Sequence, residues 1–112
     1  MEINNEIWAI VPARSGSKAI KNKNIKIIKG KPLLAYSIIA AKKSKKIKKI
    51  VLSSDSIHYF KIASQYSKIL FHKRPKKISN HKSTDLEFFL DFINKYKGKL
   101  PKYFVHLRPT TP

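Results

Sequence analysis

Between Pro12 and Asn24 the chain reads Pro-Ala-Arg-Ser-Gly-Ser-Lys-Ala-Ile-Lys-Asn-Lys-Asn. One glycine, two serines, one arginine and three lysines stand directly after an apolar run. These are the groups that a phosphate needs. Backbone N–H groups around Gly16 can form a concavity for an anion, and hydroxyls and cations complete the cradle. The Walker pattern Gly-x-x-x-x-Gly-Lys-Ser/Thr is absent, and so is Gly-x-Gly-x-x-Gly. Spacing alone leaves a phosphate cradle and a basic surface loop equally open.

The arginines point the same way. Of 25 basic residues only three are arginine, and each neighbours a turn-former: Arg14 in Pro-Ala-Arg-Ser-Gly, Arg74 in Lys-Arg-Pro, Arg108 in Leu-Arg-Pro. A chain that otherwise chooses lysine keeps arginine where a rigid, bidentate fork is needed. His58, His72, His81 and His106 have no ligand spacing with acidic partners, which argues against a zinc site. No nucleophile–base–orienter set is visible, as suits direct attack by one substrate on another. Asp55 reads as a helix cap ahead of a metal ligand.

The elements that would position these groups alternate. Ile7–Val11, closed by Pro12, has the profile of a buried parallel strand. Gly30 and Pro32 punctuate the start of a helix over 32–43, with Leu34, Ile38 and Ala41 on one face. A second strand spans 49–53, and Ser54-Asp55-Ser56 offers a cap for a helix over 57–66. A third short strand, 69–71, ends at Arg74-Pro75. Thr84 and Glu87 resemble a capping box opening a helix to about residue 96, with Leu86, Phe89, Leu90 and Ile93 as its apolar face, broadened by Phe88 and Phe92. A fourth strand covers 103–107. Repeated strand–helix alternation predicts an open, mainly parallel α/β sheet with its ligand site at the strands' carboxyl ends. The 13–24 loop, Asp55, Arg74 and Arg108 would all emerge at that edge.

Composition narrows the classes. A chain of 112 residues with 42% hydrophobic content makes one domain with one ordinary core. No apolar run approaches the roughly 18 residues of a membrane span. The segment Met1–Glu6 is polar rather than a secretory leader, and there is no cysteine. These features fit a cytoplasmic protein. The formal charge of +19 would attract polyanions. The lysines, however, are spread along every segment, so a solvated basic surface takes precedence over a nucleic-acid patch.

The order of residues adds to this. Ile10-Val-Pro-Ala-Arg-Ser-Gly-Ser-Lys18 resembles the opening motif of the N-acylneuraminate cytidylyltransferases (CMP-sialic acid synthetases), typically Pro-Ala-Arg-Gly-Gly-Ser-Lys-Gly-Ile-Pro-x-Lys-Asn. The likeness continues through Lys23-Asn24-Ile25, Gly30-Lys-Pro-Leu33, Val51-Leu-Ser-Ser-Asp55, Arg74-Pro75, Lys82-Ser-Thr-Asp85 and Leu107-Arg-Pro-Thr-Thr-Pro112. It covers nearly the whole chain, about the first half of a typical member. The resemblance implies a three-layer Rossmann-like nucleotidyltransferase fold with a mainly parallel sheet, truncated here to the N-terminal nucleotide-binding part over 1–112. It implies CTP as substrate, a magnesium ion, and attack on the α-phosphate by the anomeric hydroxyl of an acidic 2-keto sugar with release of pyrophosphate. Arg14 and Lys18 match the family's catalytic positions and, with Ser17, those holding the triphosphate. Lys23 and Asn24 match nucleotide contacts. Arg74 and Ser83 match positions near base and ribose, with Asp85 beside them. Arg108 stands where many members carry glutamine facing the substrate.

Departures are Ala19 for a usual glycine, Lys21 for proline, and Asn80-His81 where an acidic residue is common. The family's metal-binding aspartates would lie downstream, so no metal ligand is expected in this chain. The chain ends in the middle of the expected site, which reads as a fragment that is inactive alone. The resemblance implies a homodimer for the full-length protein. The acceptor stays open among sialic, legionaminic, pseudaminic and ketodeoxyoctonate sugars. A basic nucleic-acid-binding module and an inactive remnant of the same fold are the alternatives.

Overall fold

The computed structural model describes residues 5–15, 22–75 and 85–109. The run Ile7–Pro12 forms β1, the most enclosed strand. Alternation along a strand sends successive side chains to opposite faces. Here both faces are covered. Ala9 and Val11 join Ile50, Leu52, Leu34, Ile38, Ala41, Tyr59 and Ala63 in one cluster. Trp8 and Ile10 join Val51, Phe88, Phe92 and Leu100 in the other. A strand apolar on both sides, as read from sequence, is thus the centre of a three-layer α/β arrangement.

The remaining elements follow from that centre. A short 3-10 turn, Lys23–Ile25, leads into strands β2 (Ile27–Ile28) and β3 (Lys31–Pro32). Helix α1 covers Leu33–Lys43, β4 Ile47–Ser54, α2 Ile57–Ala63, β5 Leu70–Lys73, α3 Asp85–Lys95 and β6 Tyr103–His106. The four longer strands are all parallel, in the order β5-β4-β1-β6. From β1 the chain moves outward to β4 and β5, then returns past β1 to β6. Right-handed crossovers require helices on opposite faces when the direction of travel reverses. Accordingly α1 and α2 contribute to the Ala9/Val11 cluster, and α3 to the Trp8/Ile10 cluster. The reversal lies between β1 and β6. A crevice outside the carboxyl ends of the strands at such a switch point is the general ligand site of open α/β sheets.

Three local readings need correction. The sequence did not announce the β2–β3 hairpin. Its turn places Lys29 and Gly30 at φ 51° and 86°, the pair of positive values that a tight hairpin needs. Pro32 therefore ends β3 in extended backbone, and α1 begins at Leu33. Helix α2 stops at Ala63 rather than Tyr66. The buried stripe of α3 is centred on Phe88 and Phe92, while Leu90 is 51% exposed. Phe88 and Phe92 are one helical turn apart and share a face. The proposed Thr84 cap and the side chain of Leu86 lie outside the described residues. No helix among the described residues is long and apolar enough to cross a membrane.

Two substitutions on α3 separate the two faces. Phe92→Ala should cost roughly 3–5 kcal/mol by leaving a cavity beside His72, Tyr96 and Phe104. Leu90→Ala should stay within about 0.5 kcal/mol. Urea denaturation followed by the fluorescence of Trp8, the only tryptophan, measures both.

Candidate functional site

Past Pro12 the pairing of β1 with β4 continues for one more bond, from the Ala13 amide to the Ser53 carbonyl at 2.9 Å. The chain then leaves the sheet through Arg14 and Ser15. Asp55, just beyond β4, receives both donors of Ser15: the backbone amide at 2.8 Å and the hydroxyl at 2.7 Å. The Ser15 carbonyl accepts from the Asn22 amide at 3.2 Å, and the Arg14 carbonyl accepts from the Asn24 side-chain amide at 3.0 Å. Asn22, in left-handed backbone at φ 57°, accepts from the Tyr59 hydroxyl at 2.8 Å. Burial, with Asp55's charge nearby, pushes the Tyr59 hydroxyl up to about 12. It therefore remains a donor throughout the physiological range. Both ends of the loop that carries the basic and hydroxyl residues are stapled to β4 and α2. Gly16, Ser17, Lys18, Ala19 and Lys21 lie outside the described residues.

Asp55 is thus not the cap of α2. Ser56 caps that helix, its hydroxyl accepting from the Tyr59 amide at 3.2 Å, and Ser54 accepts from the Ser56 amide at 3.1 Å. With two serines serving the helix end, the aspartate is released to hold the loop. A carboxylate taking two donors is a charge-assisted pair, stronger than a neutral one.

Arg14 is half-buried at this edge. Its Nη1 nitrogen is buried and has no hydrogen-bond partner among the described residues. Buried N–H donors are seldom left so, because desolvation without an acceptor is costly. An arginine held in this way beside the stapled loop is a ready donor to an anion.

Arg74, at the end of β5, is only 7% exposed. Its Nε donates to the Ser53 hydroxyl at 2.9 Å, and its guanidinium carbon lies 4.3 Å from the centre of the Phe88 ring. Ser53 in turn meets His72 Nδ1 at 2.7 Å, and His72 Nε2 meets Asp91 at 2.6 Å. Lys95 completes the chain, 3.0 Å from the same Asp91 oxygen. Burial holds the imidazole below its ordinary 6.5, against the upward pull of Asp91. Burial alone would raise the Asp91 carboxyl, but His72 and Lys95 outweigh it and hold it low. His72 is therefore neutral near pH 7. Asp91 needs a donor, so the ring proton sits on Nε2 and Nδ1 accepts from Ser53. The residue types are those of a hydrolase triad, but the ring nitrogens are exchanged and Ser53 is fully buried. It cannot meet a substrate. Asp55, Lys73, Arg74, Pro75 and Lys95 line an open depression of about 520 Å³ at this end of the sheet.

Arg108 follows β6. It is exposed, and its carbonyl accepts from the Ser37 hydroxyl at 3.3 Å. All three arginines reach the same carboxyl edge, but in different settings: Arg74 buried on Phe88, Arg14 half-buried, Arg108 in solvent. At about 4.8 Å per strand, Arg74 stands roughly 10 Å from the end of β1, and Arg108 one strand away on the other side. Lys23 is exposed and Asn24 half-buried in the 3-10 turn. Ser83 and the Asp85 side chain lie outside the described residues. Among the described residues no group of three or more His, Cys, Asp or Glu side chains could hold a metal ion.

The sequence reading missed the Ser15–Asp55 latch, the Tyr59–Asn22 bond and the Ser53–His72–Asp91 chain. One signal was available for the last. Ser53 has the parity of Val51, and His72 that of Leu70, so both face α3; they are also direct partners across β4 and β5.

Comparison with known proteins bears on this geometry. The chain matches the model of the cytidylyltransferase family over residues 8–112. It belongs to that family. This chain is 39% identical over 107 residues to the N-acylneuraminate cytidylyltransferase of Escherichia coli O18:K1:H7, a match covering 96% of this chain and 25% of that one. It is 41% identical over 88 residues to a CMP-N,N'-diacetyllegionaminic acid synthase of Campylobacter jejuni, covering 79% and 37% respectively. Its fold is like that of a CMP:2-keto-3-deoxy-manno-octonic acid synthetase solved with CTP, with a TM-score of 0.72 at 15% identity over 94% of this chain and 40% of that one. The chain therefore spans between a quarter and two fifths of the length of these proteins.

The depressed His72 value has a consequence for stability. Below about pH 6.5 the unfolded chain takes up a proton that the folded chain resists, so stability is complete above that pH and lost as pH falls toward the folded value. Urea midpoints measured from pH 7.5 to 5.5 should fall in the wild type, and the slope should flatten in His72→Gln.

Proposed function

We propose that this chain is the nucleotide-binding part of an enzyme that transfers CMP from CTP to an acidic 2-keto sugar. The observation that carries the reading is the buried Arg14 Nη1, without a hydrogen-bond partner among the described residues, beside a stapled loop at the carboxyl edge of β1. The similarity to relatives named for sialic and legionaminic acids supports the substrate class.

In this reaction the anomeric oxygen of the sugar bonds to the α-phosphorus while the bond to the pyrophosphate oxygen breaks, and the hydroxyl proton passes to solvent or a base. Negative charge grows on the departing pyrophosphate. Fixed cations that face it stabilise the transition state without reorganising, which is the main resource of phosphoryl-transfer enzymes. Arg14 and Lys18 are assigned that role, with Ser17 donating to the phosphates. Lys23 and Asn24 would contact the nucleotide, Arg74, Ser83 and Asp85 the region of base and ribose, and Arg108 the acceptor sugar. A magnesium ion, which the family resemblance implies, finds no ligand set among the described residues and would have to be held elsewhere. The same reading takes the whole protein as a cytoplasmic homodimer.

The charge of +19 favours a competing reading in which any polyanion binds. Calorimetric titration with CTP and with a single-stranded DNA oligonucleotide at physiological salt separates the two. CTP should be preferred, and Arg14→Ala should weaken it about 10- to 100-fold, the value of a charged hydrogen bond to phosphate. Equal binding of both, steep in salt and indifferent to Arg14→Ala, would refute the enzyme reading. Asp55→Ala frees the Ser15 amide and hydroxyl and should also weaken CTP, by about tenfold, whereas oligonucleotide binding should be unaffected.

A further inference from the structure

We propose that Ser53, His72 and Asp91 are positioning residues: a buried relay that fixes the Arg74 guanidinium at the rim of the nucleotide site. The proposal rests on the reading of Arg74 as a nucleotide contact.

The relay is directional. An arginine side chain has many rotamers, and a stacked ring restrains its plane without fixing its rotation on that plane. Phe88 supplies the ring, 4.3 Å from the guanidinium carbon. The second restraint is the bond from Nε to the Ser53 hydroxyl oxygen at 2.9 Å. That oxygen presents a lone pair to Arg74 because its own proton is directed to His72 Nδ1 at 2.7 Å. Nδ1 is bare because the ring proton is on Nε2, held by Asp91 at 2.6 Å. Asp91 stays ionised beside Lys95 at 3.0 Å. Each link sets the polarity of the next, from the Asp91 carboxylate to the guanidinium. Hydrogen bonds in such chains also polarise one another in a low-dielectric interior.

Location separates this from ordinary core satisfaction. Satisfying a buried serine needs one partner, and apolar residues of similar size would fill the space equally well. Instead the relay crosses from α3 through β5 to β4 and ends on a residue that lines the depression formed with Asp55, Lys73, Pro75 and Lys95. Reversal at the imidazole would undo it. A second ring proton on Nδ1 would make the Ser53 oxygen accept on both its lone pairs, from the ring and from Arg74, would turn the hydroxyl proton away from the ring, and would add a cation beside Arg74 and Lys95. Asp91 and Lys95 on α3 and Arg74 on β5's end are the charged groups that face the ring.

Two replacements of His72 divide the ring's functions. His72→Asn puts an amide oxygen where Nδ1 stands, so Ser53 keeps its acceptor while Asp91 loses the ring donor and keeps Lys95. His72→Gln puts an amide nitrogen where Nε2 stands, so Asp91 keeps its donor and Ser53 loses its acceptor. Both are polar and of similar volume, and urea denaturation gives the stability of each. With only three arginines in the chain, the Arg74 Nε–H resonance in a ¹H–¹⁵N spectrum is assigned by its loss in Arg74→Lys. We expect a slowly exchanging signal that persists in His72→Asn and is lost in His72→Gln and Ser53→Ala. CTP affinity should follow the signal: restored in His72→Asn, and about tenfold weaker in the other two. A signal retained in His72→Gln would overturn the relay whatever CTP does. Should the signal behave as expected while Arg74→Lys and His72→Gln bind CTP normally, Arg74 is no nucleotide contact, and the functional half of the proposal falls while the relay's geometry stands.

Discussion

The Asp55 carboxylate holds this molecule's working edge together. Its two oxygens take the amide and hydroxyl of Ser15, and thereby tie the exit of β1 to the exit of β4. Parallel strands are joined by hydrogen bonds only along their length. Beyond their carboxyl ends the chains diverge, and a loop there has no ladder to hold it. A charged acceptor in a half-buried position replaces the ladder with two short bonds, strengthened because one partner is ionised. The Asn22 and Asn24 contacts and the Tyr59 hydroxyl act on the far side of the same loop. They restrain its return only because Ser15 is already fixed.

Scarcity makes the placement of acids informative. The chain has 6 acidic residues against 25 basic ones. Glu6 accepts from the Trp8 ring nitrogen at 2.9 Å, Asp55 holds Ser15, and Asp91 holds His72 and Lys95. Each sits where the chain enters, leaves or crosses the sheet. A carboxylate among many lysines will find a cation in solvent for little gain. Placed among N–H and O–H donors at partly buried joints, the same charge orders the backbone and polar side chains. The lysines among the described residues, by contrast, are exposed, and the general reading of them as a solvated surface agrees with their distribution.

Much of the fold was legible from short-range pattern. Ile7–Val11 announced a strand covered on both faces, because a run of five apolar residues has no solvent side. Leu34, Ile38 and Ala41 announced the buried face of α1, because a spacing of three and four residues returns to the same side of a helix. The carboxyl-edge location of Arg14, Arg74 and Arg108 followed from strand order alone. On α3 the same reasoning blurred: with Phe88, Phe89, Leu90, Phe92 and Ile93 all apolar, the pattern fits several faces. The sheet chose Phe88 and Phe92 because Trp8, Ile10 and Val51 present their surface there. The hairpin turn at Lys29-Gly30 was hidden for a different reason, since its strands are too short to show a period.

The family likeness, the parallel α/β class and the identity of the groups available for chemistry were written in residue type and local spacing, which depend only on neighbours in the chain. Tertiary structure decided what those groups do to one another. Asp55 lies 40 positions from Ser15, and His72 lies 19 from both Ser53 and Asp91. Whether a carboxylate caps a helix or latches a loop, and whether a histidine is charged or neutral, depends on which donors and how much apolar surface the fold brings against it. Hydrogen bonding and desolvation act over a few ångströms in space, whatever the separation along the chain.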